Sequence, residues 1–166
     1  MRRTGSMSRT TAEAQAERLV STYADMILRL SYTYLHTTAD AEDICQTVLL
    51  RVMTGAPRFS DPEHERAWII RTTINACKDL LKSAARRTTV SLEAAGEPEA
   101  PETPDGTVTD AVARLPHDQR EAIYLHYYED YPIAEVARLV GASEAAVTKR
   151  LSRARAALRH MLGDQS

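Results

Sequence analysis

Arg71, Asn75, Lys78 and Lys82 recur at steps of 4, 3 and 4 residues. That spacing places three cations and an amide along one edge of a helix. Such a row makes and breaks no bonds; it holds phosphates, and its amide can read a base edge. A second cationic set, Lys149, Arg150, Arg153, Arg155 and Arg159, lies between residues 143 and 160. The only phenylalanine and only tryptophan, Phe59 and Trp68, stand nine residues apart, just after Arg58 and just before Arg71. Two readings fit these rings: a stacking surface for an unpaired base, or core packing with Phe59 as a hydrophobic staple. Asp43 and Gln46 are three residues apart, so one helix face carries both. There they either bond a partner helix or stand in solvent.

Bond-making chemistry finds no purchase. His64-Glu65 opens an H-E-x-x-H zinc motif, but its fifth position is Trp68. No Glu-x-x-His pair exists for a di-iron bundle, and no phosphate-cradling or dinucleotide-binding glycine pattern is present. His36, His117, His126 and His160 are scattered, and Cys45 and Cys77 lack a CxxC partner. Neither a catalytic residue, a metal nor a cofactor is expected. The two cysteines read as small buried side chains of a reducing cytoplasm.

The 166 residues, 43% hydrophobic and 27% charged, suit one ordinary domain or two small ones. No apolar run approaches the roughly 20 residues of a membrane span. The basic start Met1-Arg2-Arg3 leads into no apolar segment, so a secretory signal is not expected. Formal net charge is only −2, but the charges are sorted. Residues 66–87 carry an excess of +5, residues 143–160 one of +4, and residues 88–110 between them −6. Two basic segments flanking an acidic strip suit a chain that touches a polyanion at two places.

Helical periodicity must position these groups. Leu19, Tyr23, Met26, Ile27, Leu30 and Tyr34 line one helix face. After Thr37-Thr38-Ala39, Asp40 is the expected N-cap of a helix that runs to about Met53 and buries Ile44, Val48 and Val52. A third helix spans about Glu65 to Ala85, its apolar stripe Ile70, Ile74, Cys77 and Leu81 beside the cationic one. The strip that follows, with Gly96, Pro98, Pro101, Pro104 and Gly106, reads as a linker. At about 3.3 Å per residue it reaches roughly 75 Å, enough to join two contacts ~50 Å apart on one duplex.

A second helical unit follows. Pro116 fits the first turn of a helix carrying Ile123, Tyr124, Tyr127 and Tyr128. Ile133 to Val140, then Gly141-Ala142-Ser143, then a helix from Glu144 lined by Val147, Leu151, Ala154, Leu158 and Met161 give a helix-turn-helix. Near the start of its second helix, Glu144, Ala145, Ala146, Thr148, Lys149 and Ser152 lie on or beside the outward face. Low alanines allow close approach to DNA, Glu144 can accept from cytosine, and Lys149 can donate to guanine or phosphate. Arg150 and Arg153 are expected on the backbone, with Arg155 open to phosphate or to an ion pair within the domain.

Three patches, in order, resemble the extracytoplasmic-function sigma factors. Ala41-Glu42-Asp43-Ile44-Cys45-Gln46-Thr47-Val48 is similar to the family's A-E-D-hydrophobic-x-Q-x-hydrophobic helix. Ala67-Trp68-Ile69-Ile70-Arg71-Thr72-Thr73-Ile74-Asn75 resembles its W-L-x-R-I-A-x-N segment. Val147-Thr148-Lys149-Arg150-Leu151-Ser152-Arg153-Ala154-Arg155 resembles V-x-x-R-L-x-R-A-R. The entry Ala145-Ala146 departs from the usual G-T, and Lys82 stands where an arginine is common.

The resemblance implies an all-α fold of two small domains, a region 2 bundle over 14–87 and a region 4 helix-turn-helix over 108–163. The acidic linker 88–107 would be flexible and residues 1–13 disordered. Asp40, Glu42, Asp43 and Gln46 would dock on the β′ clamp helices of core RNA polymerase. Arg58, Phe59, Trp68, Arg71, Asn75, Lys78 and Lys82 would open the −10 promoter element. Glu144, Ala145, Ala146, Thr148, Lys149, Arg150, Ser152 and Arg153 would read the −35 element. Further implied partners are the β flap and an anti-sigma protein, with no membrane insertion and a cytoplasmic location. No zinc-finger cluster or further domain follows Leu162, so regulation is expected from another protein rather than from the chain itself. A stand-alone helix-turn-helix regulator, or an adaptor binding only protein, would need neither the Asp40–Gln46 helix nor the Arg71–Lys82 stripe.

Overall fold

The computed structural model describes residues 4–55, 57–90 and 108–163, and among them every element is helical. The first unit is built from α1 (Thr4–Leu35), α2 (Thr38–Gly55) and α3 (Pro62–Val90). All six expected apolar positions of α1, from Leu19 to Tyr34, are buried. They pack against Ile44, Val48, Leu49 and Val52 of α2 and Ile69, Ile70, Ile74 and Cys77 of α3. Each fully buried aliphatic side chain contributes about 1.5–3 kcal/mol. Helix α1 begins at Thr4, ten residues ahead of the expected domain boundary, although no side chain between 11 and 18 is buried. Helix α3 likewise runs to Val90, and residues 91–107, most of the expected linker, lie outside the described residues.

The start of α2 differs from expectation. Its cap is Thr37, whose Oγ1 accepts the Asp40 amide at 3.2 Å, so Asp40 stands in the first turn and favours the positive helix end instead. Asp61 caps α3, accepting the His64 amide at 2.8 Å.

Glu65 is buried against α1 by a contact that no local pattern announces. Its two carboxylate oxygens take two Arg18 donors at 2.9 Å each, and the Tyr23 hydroxyl donates at 2.7 Å. Arg18 holds the Glu65 carboxyl below the ordinary carboxylate range, while burial, then Glu65, push the Tyr23 phenol up to about 12. Because the folded value is depressed, this stabilisation is fully present at neutral pH and disappears as the pH falls below about 4.5. Glu65→Gln is expected to cost about 1–3 kcal/mol at pH 7 and to narrow its deficit in acid, read from denaturant unfolding at both pH values.

The second unit comprises α4 (Val108–Ala113), α5 (His117–Ile123), a π-helical turn (Tyr124–Tyr128), α6 (Ile133–Val140) and α7 (Glu144–Gly163). Val136, Ala137, Val140, Val147, Leu151 and Ala154 fill the angle between α6 and α7. Gly141 turns the chain at φ 71°, a left-handed conformation that costs glycine nothing, and the Ala142 amide bonds back to Ala137 O at 3.0 Å. Ser143 Oγ caps α7 by accepting the Ala146 amide at 3.1 Å.

The expected continuous helix through Tyr128 changes winding at Tyr124. The Glu129 amide reaches back five residues to Tyr124 O, at 3.1 Å. Tyr124 stays buried and stacks on Tyr128 at 5.2 Å, while Tyr127 and Tyr128 are exposed. The two units pack directly: α5 lies on α1 and α6 on α3.

Candidate nucleic-acid interface

On α3, Trp68 precedes Arg71, Asn75, Lys78 and Lys82 at one further helical step, so all five share a stripe. Arg71, Asn75 and Lys82 are exposed; Lys78 is half-buried, and its Nζ donates to Val140 O at 3.4 Å. The Phe59 ring meets Trp68 edge-on at 5.8 Å and His64 at 5.4 Å. Both Phe59 and Trp68 are half-buried against the core, and Arg58, next to Phe59 in the chain, is exposed. The Ser60 amide donates to His64 Nδ1 at 3.2 Å, fixing the loop ahead of α3. The aromatic pair therefore stands at the head of a cationic row.

On α2, Glu42, Asp43 and Gln46 are exposed and Asp40 is half-buried. Leu50 and Met53 are also exposed, at 55% and 40%. Asp43, Gln46, Leu50 and Met53 step by 3, 4 and 3, so polar and apolar groups form one solvent-facing stripe. The apolar half escaped the sequence reading because Leu49 and Val52, its immediate neighbours, belong to the buried stripe.

On α7, Glu144, Ala145, Thr148, Lys149, Ser152 and Arg153 are exposed and Ala146 is half-buried. Arg150 points inward instead. Its guanidinium lies 3.7 Å from Asp118 and 3.9 Å from Glu121, whose side chain is only 3% exposed. Burial pushes the Glu121 carboxyl up to about 8, a shift that Arg150 opposes. The intradomain ion pair thus falls to Arg150, while Arg155 lies over the Tyr127 ring at 5.9 Å and donates from Nε to Leu151 O. Among the described residues no cluster of three or more His, Cys, Asp or Glu could hold a metal. No helix among them is long and apolar enough to cross a membrane.

This pairing of a three-helix bundle with a helix-turn-helix has known counterparts. Residues 19–87 match Sigma-70 region 2 and residues 106–158 match Sigma-70, region 4. ECF RNA polymerase sigma factor SigM of Mycobacterium tuberculosis is 34% identical over 151 residues, covering 84% of this chain and 76% of SigM. The chain belongs to the ECF RNA polymerase sigma factors. SigL of the same organism is 31% identical over 168 residues, covering 92% of this sigma factor and 94% of SigL. The fold is shared with the sigma factor RpoE of Bartonella quintana, solved with the anti-sigma factor NepR. There the TM-score is 0.71 at 19% identity, over 89% of this chain and 96% of that one. The protein is accordingly an RNA polymerase-binding, promoter-recognising subunit, and the stand-alone regulator is not favoured.

Proposed function

We infer how the sigma factor divides that work. Asp40, Glu42, Asp43 and Gln46, joined by Leu50 and Met53, form the face that docks on core polymerase at its β′ clamp helices. Arg58, Phe59 and Trp68 receive an unstacked −10 base, and Arg71, Asn75, Lys78 and Lys82 hold the adjoining strand. Glu144, Ala145, Ala146, Thr148, Lys149, Ser152 and Arg153 read the −35 element in the major groove, and Arg150 ties that helix to α5. The two domains act as units of about 14–87 and 108–163, the second touching the β flap, with the acidic segment 88–107 spanning between them. The chain supplies binding rather than catalysis and works in the cytoplasm. An anti-sigma protein, like that bound to the Bartonella quintana sigma factor, holds it inactive.

What supports this division most is one chain presenting three separate exposed faces, on α2, α3 and α7, each of the right chemistry. Run-off transcription tests it. Core RNA polymerase with the promoter region of the protein's own operon is expected to initiate specifically only when the protein is added. DNA binding without any association with core polymerase would overturn the reading.

A further inference from the structure

Where α1 and α2 face α4, α5 and the π-helical turn, a cleft of about 730 Å³ is left. Small-molecule sites commonly measure ~300–1,000 Å³. The wall is largely apolar, formed by Leu28, Val112 and Ile123 with the tyrosine rings of α1 and the π-helical turn. Val108 and Tyr128, which also line it, are 57% and 56% exposed, more than any other large hydrophobic side chain among the described residues. Of the lining residues only Glu42 belongs to a face assigned above to polymerase or DNA.

The polar part of this wall is cationic and incompletely matched. Arg120 is only 4% exposed. Its Nη1 donates to His36 Nδ1 and to Ala113 O, each at 3.0 Å, while Nε is buried with no hydrogen-bond partner. Neither acceptor carries charge: one is a carbonyl, and burial, then Arg120, hold the His36 imidazole below its ordinary pKa. Arg29, the second cation of the wall, donates to the Tyr128 hydroxyl and lies over its ring at 5.0 Å. Neither arginine forms an ion pair among the described residues. The one carboxylate of the wall, Glu42, is exposed and stays in water. A buried cation without an anion is costly, and a guanidinium with an unused donor is met best by a carboxylate. We propose that the cleft binds a small amphipathic carboxylate, its head group at Arg120 and its apolar body between α1 and the tyrosines of the π-helical turn.

Isothermal titration of the full-length protein with decanoate tests this, beside decyltrimethylammonium, which has a chain of the same length and the opposite charge. Two variants accompany it. Arg120→Gln removes the buried charge, and Val108→Asp sets a carboxylate on the wall at an exposed position where the fold does not depend on valine. Far-UV circular dichroism and thermal melting check both; should Arg120→Gln fail to fold, Val108→Asp decides. Decanoate is expected to bind the wild type saturably at one site, and the cationic chain at least roughly tenfold more weakly. Each variant is expected to weaken decanoate by roughly tenfold or more, the loss of one charge-assisted contact. No saturable binding of decanoate overturns the site. Equal binding of the two chains overturns recognition of an anion. Decanoate affinity unchanged in Val108→Asp moves the ligand out of this cleft, and affinity unchanged in a folded Arg120→Gln overturns the place of its head group.

Discussion

Met53→Asp, added to Asp43→Ala and Gln46→Ala, is expected to weaken binding to core RNA polymerase more than 100-fold. The polar pair alone should cost about tenfold. The reasoning starts from exposure: all three side chains face solvent, so their loss moves fold stability by only about 0.5 kcal/mol. An exposed methionine flanked by hydrogen-bonding groups is instead what a helical partner buries. One well-packed anchor at the centre of an interface commonly carries at least 2 kcal/mol, about 30-fold in affinity. A carboxylate at Met53 both removes that anchor and forces a charge into the contact. Titration of labelled protein with core polymerase, alongside binding of a −35 duplex as a control, separates the effect from misfolding. Unchanged core affinity in the triple variant would move the docking face off α2.

The second large effect lies on α7, where neighbouring cations are predicted to behave differently. Lys149→Ala should lower affinity for the −35 duplex by a factor of about 5–150, corresponding to ~1–3 kcal/mol. It should leave thermal stability and core binding alone, because Lys149 is exposed. If Lys149 meets a phosphate, the salt dependence of binding also falls by about one counterion. Arg150→Ala should instead melt the helix-turn-helix earlier, since it removes the cation that links α7 to Asp118 and lies beside buried Glu121. With the folded Glu121 carboxyl raised to about 8, that variant holds its proton more tightly still, so its deficit grows as the pH rises above neutrality. Equal loss of DNA affinity and equal stability in both variants would contradict this division of labour.

These contrasts show where local pattern was enough. Helical faces repeat every three or four residues, so the buried stripes of α1, α2 and α3 and the Gly141 turn with its Ser143 cap were legible from the chain alone. Asp40 was misread as a cap because it shares with Thr37 the short polar side chain that caps require. Which of two such residues accepts the bond depends on where the preceding helix ends, and His36, at φ 60°, sets that. Glu65 with Arg18 and Tyr23 could not be read, because the partners lie 47 and 42 positions away. The polar links between the two units, Arg66 with Glu129, Lys78 with Val140 O, Arg120 with His36 and Arg29 with Tyr128, were hidden for the same reason: they join residues 62 to 99 apart. On α7, periodicity alone could not tell which arginine turns inward, since that depends on acidic partners in α5.

The π-helical turn at Tyr124–Tyr128 carries a consequence for the length of the chain at this point. A regular helix advances about 100° per residue, so five-residue winding places one surplus residue in the coil and delays everything after it by that angle. Glu129 emerges from this delay facing Arg66 of α3, with which it forms an ion pair between the two units. Removing one residue between Tyr124 and Tyr128 would let the coil relax to ordinary winding and swing Glu129 away by about a quarter-turn. The pairing between the two units therefore depends on a residue count as much as on two charges. A chain shortened by that one residue would keep both charges yet lose their alignment.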